Sequence, residues 1–195
     1  GHQEYMSAFL LGDLFVIGAV IGASFITINV VDKTDNIMRD LKVLVSKFEI
    51  DVYFVMILIL GSLWGYIENY LFVFLKELDA PNYMLGLTLT VGMFAGIPFL
   101  FLADPIVAKL GRPLIFMMSF FTYAIRMFGY SFLTNPWWCF PFELLEVVSY
   151  QLMWVAALTY CPLLAPKGLL ATMTGLAGSV HYSVGRGMGA FMGGF

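Results

Sequence analysis

Charged residues are scarce in this sequence: Asp, Glu, Lys and Arg make up only 12% of its 195 residues, whereas hydrophobic residues make up 61%. A soluble domain of this size has too little polar surface to cover so many apolar side chains, so a soluble globular protein is excluded. Basic runs of the kind that bind nucleic acid are also missing, and no nucleic-acid partner is expected. The composition predicts an integral membrane protein whose partner is the lipid bilayer.

Cysteine is equally scarce, with only Cys139 and Cys161 in the chain. They lie at opposite ends of one predicted membrane helix, roughly 30 Å apart, so they cannot form a disulfide with each other. No metal-ligand spacing is present, and neither is a G-x-S-x-G motif, an H-E-x-x-H motif or a pair of intramembrane aspartates. Ser179 and His181 fall on different helix faces. An enzyme is therefore disfavoured, and we expect no metal and no cofactor.

Long apolar runs dominate what is present. Six of them are each close to the roughly 20 residues that a helix needs to cross the hydrocarbon core. They are Tyr5–Val31, Val52–Leu75, Met84–Ala103, Pro113–Leu133, Trp137–Tyr160 and Leu169–Phe195. Their length and lack of alternation exclude membrane β-strands, so the predicted fold class is an all-α, polytopic membrane protein with six transmembrane helices. Because the chain begins at Gly1 without an initiator Met and ends inside the last run, we expect a piece of a longer protein.

Basic residues in the connecting segments predict the orientation. Segments 32–51, 104–112 and 161–168 lie on one side of the membrane and hold most of them, whereas the opposite side has only Lys76. The basic residues of the first side are Lys33, Arg39, Lys42, Lys47, Lys109, Arg112 and Lys167. Because cytoplasmic loops collect Lys and Arg, this side is predicted to be inside, with 135–138 outside. Segment 32–51 also has apolar residues at helical spacing, which fits either an amphipathic surface helix or a solvated linker.

Most of the charged residues inside the spans fall at one depth. Counting ~1.5 Å per residue from the span ends places them about 9 to 14 Å from the outer surface. These residues are Asp13, Glu68, Arg126, Glu143 and Glu146. Ionisable groups within a membrane are costly, so such a shared layer predicts a functional site that faces the protein interior or a water-filled cavity.

Arg126 is predicted to pair with Glu143 or Glu146, because these residues lie at matching depth on consecutive antiparallel spans and an unpaired arginine in lipid is costly. Glu143, Glu146 and Tyr150 share a helix face through their i, i+3, i+7 spacing. One interpretation is a proton or substrate site in which Arg126 keeps one carboxylate ionised and the other carries the proton. The alternative is a structural ion pair, with Glu143 near enough to the surface to be hydrated.

Three further polar residues lie in the spans. Glu68 is alone in its span and suits either a functional site or a contact with another helix. His181 lies near mid-membrane, where a lone histidine fits either an interhelical hydrogen bond or a proton carrier. Arg186 lies in a glycine-rich stretch, and we expect it to approach a carboxylate outside this chain.

Small residues recur at spacing four in the last run, which predicts close helix packing. One stripe is Gly175, Ser179, Ser183 and Gly187, and the other is Gly185, Gly189 and Gly193. The stretch 185–189 is not a nucleotide-binding loop, because no strand precedes it.

A short motif between the third and fourth runs carries a family resemblance. Asp104, Lys109, Gly111 and Arg112 match a cytoplasmic loop signature of the major facilitator superfamily, in which an Asp and a basic-x-Gly-Arg cluster join two helices. A longer resemblance covers roughly residues 52–195 and is strongest in the stretches 63–68, 72–78, 135–145 and 185–194. These stretches resemble the group of domain-containing protein 6 within that superfamily, which is similar to the sugar–proton symporter branch containing lactose permease.

The resemblance implies a major facilitator fold of which this chain supplies a part. Residues 1–31 would then be the last helix of the N-terminal half. Residues 32–51 would be the central cytoplasmic loop, and residues 52–195 would form most of the C-terminal helical half.

The permease branch couples transport to protons through an Arg of the ninth helix and a His/Glu pair of the tenth. Arg126, Glu143 and Glu146 fall on the corresponding helices, although no His accompanies the glutamates. The leading hypothesis is a multi-pass plasma-membrane transporter that moves an unidentified small solute by alternating access, with proton coupling as an option. Glu146 would exchange the proton, Arg126 would modulate it, and Glu68 and Tyr150 would line the cavity. The alternative is a receptor-like or scaffold surface protein that retains a transporter fold.

Overall fold

The residues described by the computed structural model are 16–21, 24, 44 and 47–194. The chain divides into two compact units, 1–35 and 36–195, each of which is described by itself. In the first unit the described residues are helical, while most of the predicted span Tyr5–Val31, including Asp13, lies outside the described part. The predicted amphipathic helix of segment 32–51 lies mostly outside it as well.

The second unit is built of helices joined by short turns. In chain order they are α1 (Phe48–Glu77), α2 (Asn82–Phe101), α3 (Ala103–Leu110), α4 (Arg112–Ser131), α5 (Cys139–Leu144), α6 (Met153–Leu164), α7 (Leu170–Ser179) and α8 (Arg186–Met192). A 3₁₀ turn, Pro136–Trp138, precedes α5. Two π-helical turns follow, Val147–Leu152 between α5 and α6 and Val180–Gly185 between α7 and α8.

Within the described residues, four helical segments are long and apolar enough to cross a membrane. They are Phe48–Glu77, Asn82–Phe101, Arg112–Ser131 and Pro136–Leu164. Each coincides with a predicted run to within a few residues at either end, and the all-α polytopic membrane fold is confirmed. The sixth run, Leu169–Phe195, is helical from Leu170 to Met192 but is not among the four, so the count of six spans stays a prediction. Because α1 begins at Phe48, the end of the predicted central loop 32–51 belongs to a helix.

The segment 104–112 was predicted as a loop, but most of it forms the short helix α3. Asp104 lies in the first turn of this helix and Lys109 in the last, where each charge complements the helix dipole. Gly111 ends α3 with φ of 79°, a left-handed conformation that favours glycine, and the chain passes directly into α4. The predicted loop is therefore a short helix followed by a tight turn at Gly111.

The buried core lies between α1, α4 and α6. Tyr53 packs edge to face against Phe116 and Tyr160, and its hydroxyl donates to the Ala157 carbonyl at 3.1 Å. Large apolar side chains such as Phe121 are exposed along the outer surfaces of the helices. An exposed apolar exterior of this extent suits contact with lipid.

Glycines bring α1 close to the last predicted span. At Gly61 and Gly65, a β-carbon would meet backbone atoms of that span, and at Gly185 and Gly189 it would meet backbone atoms of α1. This interface contains the second of the two predicted small-residue stripes. The first stripe faces elsewhere, since a β-carbon added at Gly175 or Gly187 would have no described neighbour within 4 Å.

Candidate functional site

The buried ion pair between Arg126 and Glu143 anchors the candidate site. Arg126 comes from α4 and Glu143 from α5, and their side chains are 2% and 5% exposed. Nη2 of Arg126 lies 3.1 Å from Oε1 of Glu143. Losing one partner of such a pair leaves an uncompensated buried charge, so each residue depends on the other. Glu143 is therefore buried in the predicted ion pair, and the choice between a functional and a structural role for that pair stays a prediction.

Tyr130 and Ser149 complete the hydrogen bonding of this pair. Nε and Nη2 of Arg126 donate to the Tyr130 hydroxyl at 3.2 Å, and Nη1 donates to Oγ of Ser149 at 3.1 Å. The Tyr130 hydroxyl in turn donates to Oε1 of Glu143. All the guanidinium nitrogens thus have partners within the protein. Sequence reasoning missed both residues, although Tyr130 lies one helical turn after Arg126.

Glu146 lies near this pair but takes no part in its ion pair or hydrogen bonds. Its carboxylate reaches towards α2, where a β-carbon at Gly92 would meet it. Within residues 47–194, that carboxylate forms neither an ion pair nor a hydrogen bond. The structure therefore separates the two glutamates: Glu143 is bound to Arg126, and Glu146 has no bound cation in the described part of the chain.

Gln151 is a third polar residue that sequence reasoning left out of the site. Its Nε2 donates to the Gly92 carbonyl at 3.2 Å, while its Oε1 is buried without a hydrogen-bond partner among the described residues. Gly96 makes room for the amide, since a β-carbon there would overlap it. The spacing of four between Gly92 and Gly96 is the pattern that indicates such a close approach.

The π-helical turn Val147–Leu152 begins directly after Glu146 and contains Tyr150 and Gln151. A π turn inserts a residue into the helical register, and such turns are frequent at functional sites. Glu143 contacts α4, Glu146 approaches α2, and Tyr150 stacks on α1. The three residues predicted to share one face therefore contact three different helices.

Glu68 of α1 pairs with Arg186 of α8. Nη2 of Arg186 lies 3.0 Å from Oε2 of Glu68, and the guanidinium carbon lies 5.1 Å from the centroid of the Trp64 ring. Arg186 therefore has a carboxylate partner within this chain, and its approach to one outside the chain stays a prediction. The membrane depth counted from the sequence could not reveal this partner, because it does not give the direction in which a side chain points from its helix.

Aromatic rings pack around His181. Trp64 stacks on Tyr150 with ring centroids 5.3 Å apart and on His181 with centroids 5.8 Å apart. The hydroxyl of Tyr150 lies 2.9 Å from that of Tyr182, which closes the cluster. His181 is fully buried, and its Nδ1 lies 3.3 Å from the Ile57 carbonyl oxygen. Because a carbonyl only accepts, this nitrogen is the donor in an interhelical hydrogen bond.

One cavity of about 120 Å³ brings most of the predicted site residues together. Its wall includes Glu68, Arg126, Glu143, Glu146 and Tyr150, and also Trp64, Thr88 and Gln151. His181 touches the wall residue Trp64 but does not itself form part of the wall. Apolar and aromatic walls with a few convergent polar groups are typical of ligand sites, although this cavity is smaller than most of them.

The predicted cytoplasmic motif lies at a helix junction away from this cavity. Asp104 and Lys109 are exposed on α3, and Gly111 forms the turn into α4. Nε of Arg112 donates to the Thr159 carbonyl at 3.1 Å, which ties the start of α4 to α6. The motif therefore fixes how two spans are joined.

Comparison with known proteins identifies the family. The sequence pattern described as the MFS_1 like family matches residues 5–195. The chain belongs to this family. It is 22% identical over 184 residues to major facilitator superfamily domain-containing protein 6-like protein A of Xenopus laevis, covering 93% of this chain and 30% of that protein. It is 23% identical over 137 residues to the human domain-containing protein 6-like protein, covering 70% of this chain and 23% of that protein.

Membership of the major facilitator superfamily confirms the resemblance that the sequence motifs predicted. The relation to the sugar–proton symporter branch stays a prediction, and no solved structure matches this chain. The chain spans 30% or less of the length of the curated relatives it matches.

Proposed function

We propose that the protein is a secondary-active transporter of a small solute, that it lies in the plasma membrane, and that Glu146 exchanges its coupling proton. The observation that carries the proposal is the separation of the two glutamates. Arg126 forms a buried ion pair with Glu143. Glu146 lies in the wall of the same cavity and forms no ion pair within the described part of the chain. A carboxylate in this situation is stabilised by binding a proton.

The mechanism follows from this difference between the two carboxylates. In transporters of this architecture, helical units rock around a site near mid-membrane, so that the site opens to each side in turn. Glu146 binds a proton on one side and releases it on the other. Arg126 is a positioning residue, because it forms an ion pair with Glu143 and leaves Glu146 as the group that exchanges the proton.

The test is solute uptake by the whole protein in proteoliposomes, with a proton gradient imposed in either direction. The panel of radiolabelled solutes contains sugars, amino acids, carboxylic acids and amines. We expect the gradient to drive accumulation or release of at least one solute. Glu146→Gln lowers that gradient-dependent flux at least tenfold, whereas Glu77→Gln, an exposed glutamate at the end of α1, leaves it unchanged.

Two results would contradict the proposal in different ways. If the gradient-dependent flux of Glu146→Gln equals that of the native protein, Glu146 is not the coupling residue. If the folded protein moves no solute of the panel, the transport proposal fails and the receptor-like or scaffold alternative is favoured.

A further inference from the structure

A hydrogen bond connects the two π-helical turns. The first turn, Val147–Leu152, contains Tyr150, and the second, Val180–Gly185, contains Tyr182. The hydroxyl oxygens of these two tyrosines lie 2.9 Å apart, so one hydroxyl donates to the other. π-helical turns are frequent at functional sites, and this bond joins two of them. It links the last predicted span to the span that carries Glu146.

Aromatic contacts hold the Tyr182 ring in one orientation. The ring packs edge to face against Trp64 of α1, with centroids 5.7 Å apart, and against Trp154 of α6, with centroids 4.9 Å apart. Edge-to-face packing is a preferred geometry for aromatic pairs. Tyr182 is not among the described residues that form the cavity wall, whereas Tyr150 is. The Tyr182 hydroxyl therefore acts on the cavity through Tyr150.

The pair of hydroxyls has one hydrogen to spare. Two hydroxyls carry two hydrogens, and only one of these lies in the bond between them. Neither hydroxyl forms a further hydrogen bond within the described part of the chain. When Tyr182 is the donor, the spare hydrogen is that of Tyr150, which belongs to the cavity wall. A hydroxyl that accepts a hydrogen bond is also a stronger donor, because hydrogen bonds in a chain polarise one another.

We propose that Tyr182 is a positioning residue of the candidate site, because its hydroxyl donates to Tyr150 and leaves the Tyr150 hydrogen for an acceptor atom of the solute. This inference rests on the proposed function. It requires a solute with an oxygen or nitrogen acceptor, which Tyr150 binds. Tyr182 contributes to solute binding only through Tyr150, so the loss of its hydroxyl weakens binding without slowing the transport step.

The test is the kinetics of uptake by the whole protein in proteoliposomes, for a solute of the panel that the proton gradient moves. Tyr182→Phe keeps the ring and removes only the hydroxyl. We expect KM to rise roughly two- to tenfold, the range that corresponds to one hydrogen bond, while the maximal rate stays unchanged. A merely structural role would lower the amount of active protein, and therefore the maximal rate, without changing KM.

Tyr70→Phe is the matched control. The Tyr70 hydroxyl also joins two spans, because it donates to the Ala190 carbonyl, but it makes no contact with Tyr150. This variant should keep the native KM. The double variant Tyr150→Phe with Tyr182→Phe should have the KM of Tyr150→Phe alone, since Tyr182 acts through the hydroxyl that is already missing.

Thermal unfolding of the same variants in lipid nanodiscs tests the contact without any solute. The double variant should be no less stable than the less stable of its two single variants, because all three lose the same hydrogen bond. The losses of Tyr150→Phe and Tyr70→Phe should instead add when the two are combined.

Three results would overturn the inference and leave the transport proposal in place. They are a native KM in Tyr182→Phe, a further rise of KM in the double variant, and additive losses of stability for Tyr150 and Tyr182. A shifted pH dependence of uptake with a native KM would assign the spare hydrogen to Glu146 and also overturn it. A folded protein that moves no solute of the panel removes the transport proposal, and this inference falls with it.

Discussion

Arg126 and Glu143 illustrate how a single buried charge depends on its partner. Arg126→Met leaves Glu143 buried with only the Tyr130 hydroxyl as a donor. We expect this change to lower the free energy of unfolding by about 3–5 kcal/mol, which is the usual effect of breaking a buried pair. The double variant Arg126→Met with Glu143→Leu removes both charges and should recover most of that loss. Thermal unfolding in detergent measures the stability of the native protein, of Arg126→Met and of the double variant.

The exposed Lys76 provides the control for this pair, since Lys76→Met removes a charge at the end of α1 and should leave the unfolding temperature unchanged. A double variant as unstable as Arg126→Met alone would show that the two charges do not stabilise each other.

Gly111 has a backbone conformation that ordinary residues rarely adopt, with φ of 79° and ψ of 149°. Backbone strain of this kind costs about 1–3 kcal/mol per residue. Gly111→Ala should therefore reduce stability by about that amount, measured as a lower unfolding temperature. Gly86→Ala, within α2 and without described neighbours at the added methyl group, is the matched control and should be neutral or slightly stabilising. Equal stability of the two variants would show that the α3–α4 turn is not fixed at Gly111.

At the scale of helices, two glycines of α8 distinguish its packed face from its open face. A β-carbon at Gly189 would meet the Ser62 carbonyl oxygen and lie 2.6 Å from the Tyr66 nitrogen, while one at Gly187 has no described neighbour within 4 Å. Gly189→Ala should destabilise the protein by about 1–3 kcal/mol, because overpacking forces α1 and α8 apart. Gly187→Ala in the same helix should not destabilise it. The difference in unfolding temperature between the two variants is the measurement, and a reversed order would contradict the α1–α8 interface.

The two π-helical turns are the elements that the sequence did not reveal. Hydropathy and spacing describe a continuous helix through 137–160, yet the turn Val147–Leu152 lies between Glu143, which contacts α4, and the ring of Tyr150, which stacks on α1. A π turn inserts one residue without changing the apolar character of a span, so it cannot be predicted from amino-acid composition. Helix contacts that depend on this register, such as that of Gln151 with Gly92, were therefore beyond prediction.

At the scale of the whole molecule, what could be predicted follows from the membrane itself. Because a helix must be long and apolar to cross a bilayer, the sequence predicts four spans whose ends agree with those of the described helices to within a few residues. The same thickness placed Arg126 and Glu143 at matching depth. Depth alone does not say in which direction a side chain points, so the choice between Glu143 and Glu146, and the partner of Arg186, required the three-dimensional structure.

The orientation of the molecule in the membrane gives the last prediction. The segment 104–112 belongs to the side rich in Lys and Arg, which the positive-inside rule places in the cytoplasm, and 134–138 then faces outwards. Lys109 and Thr134 are both exposed, whereas the native Cys139 and Cys161 are fully buried and should contribute little background. A membrane-impermeant maleimide should therefore label Thr134→Cys in intact cells and Lys109→Cys only after permeabilisation. The opposite labelling would place the basic side outside, which would reverse the topology and put the layer of charged residues in the inner half of the bilayer.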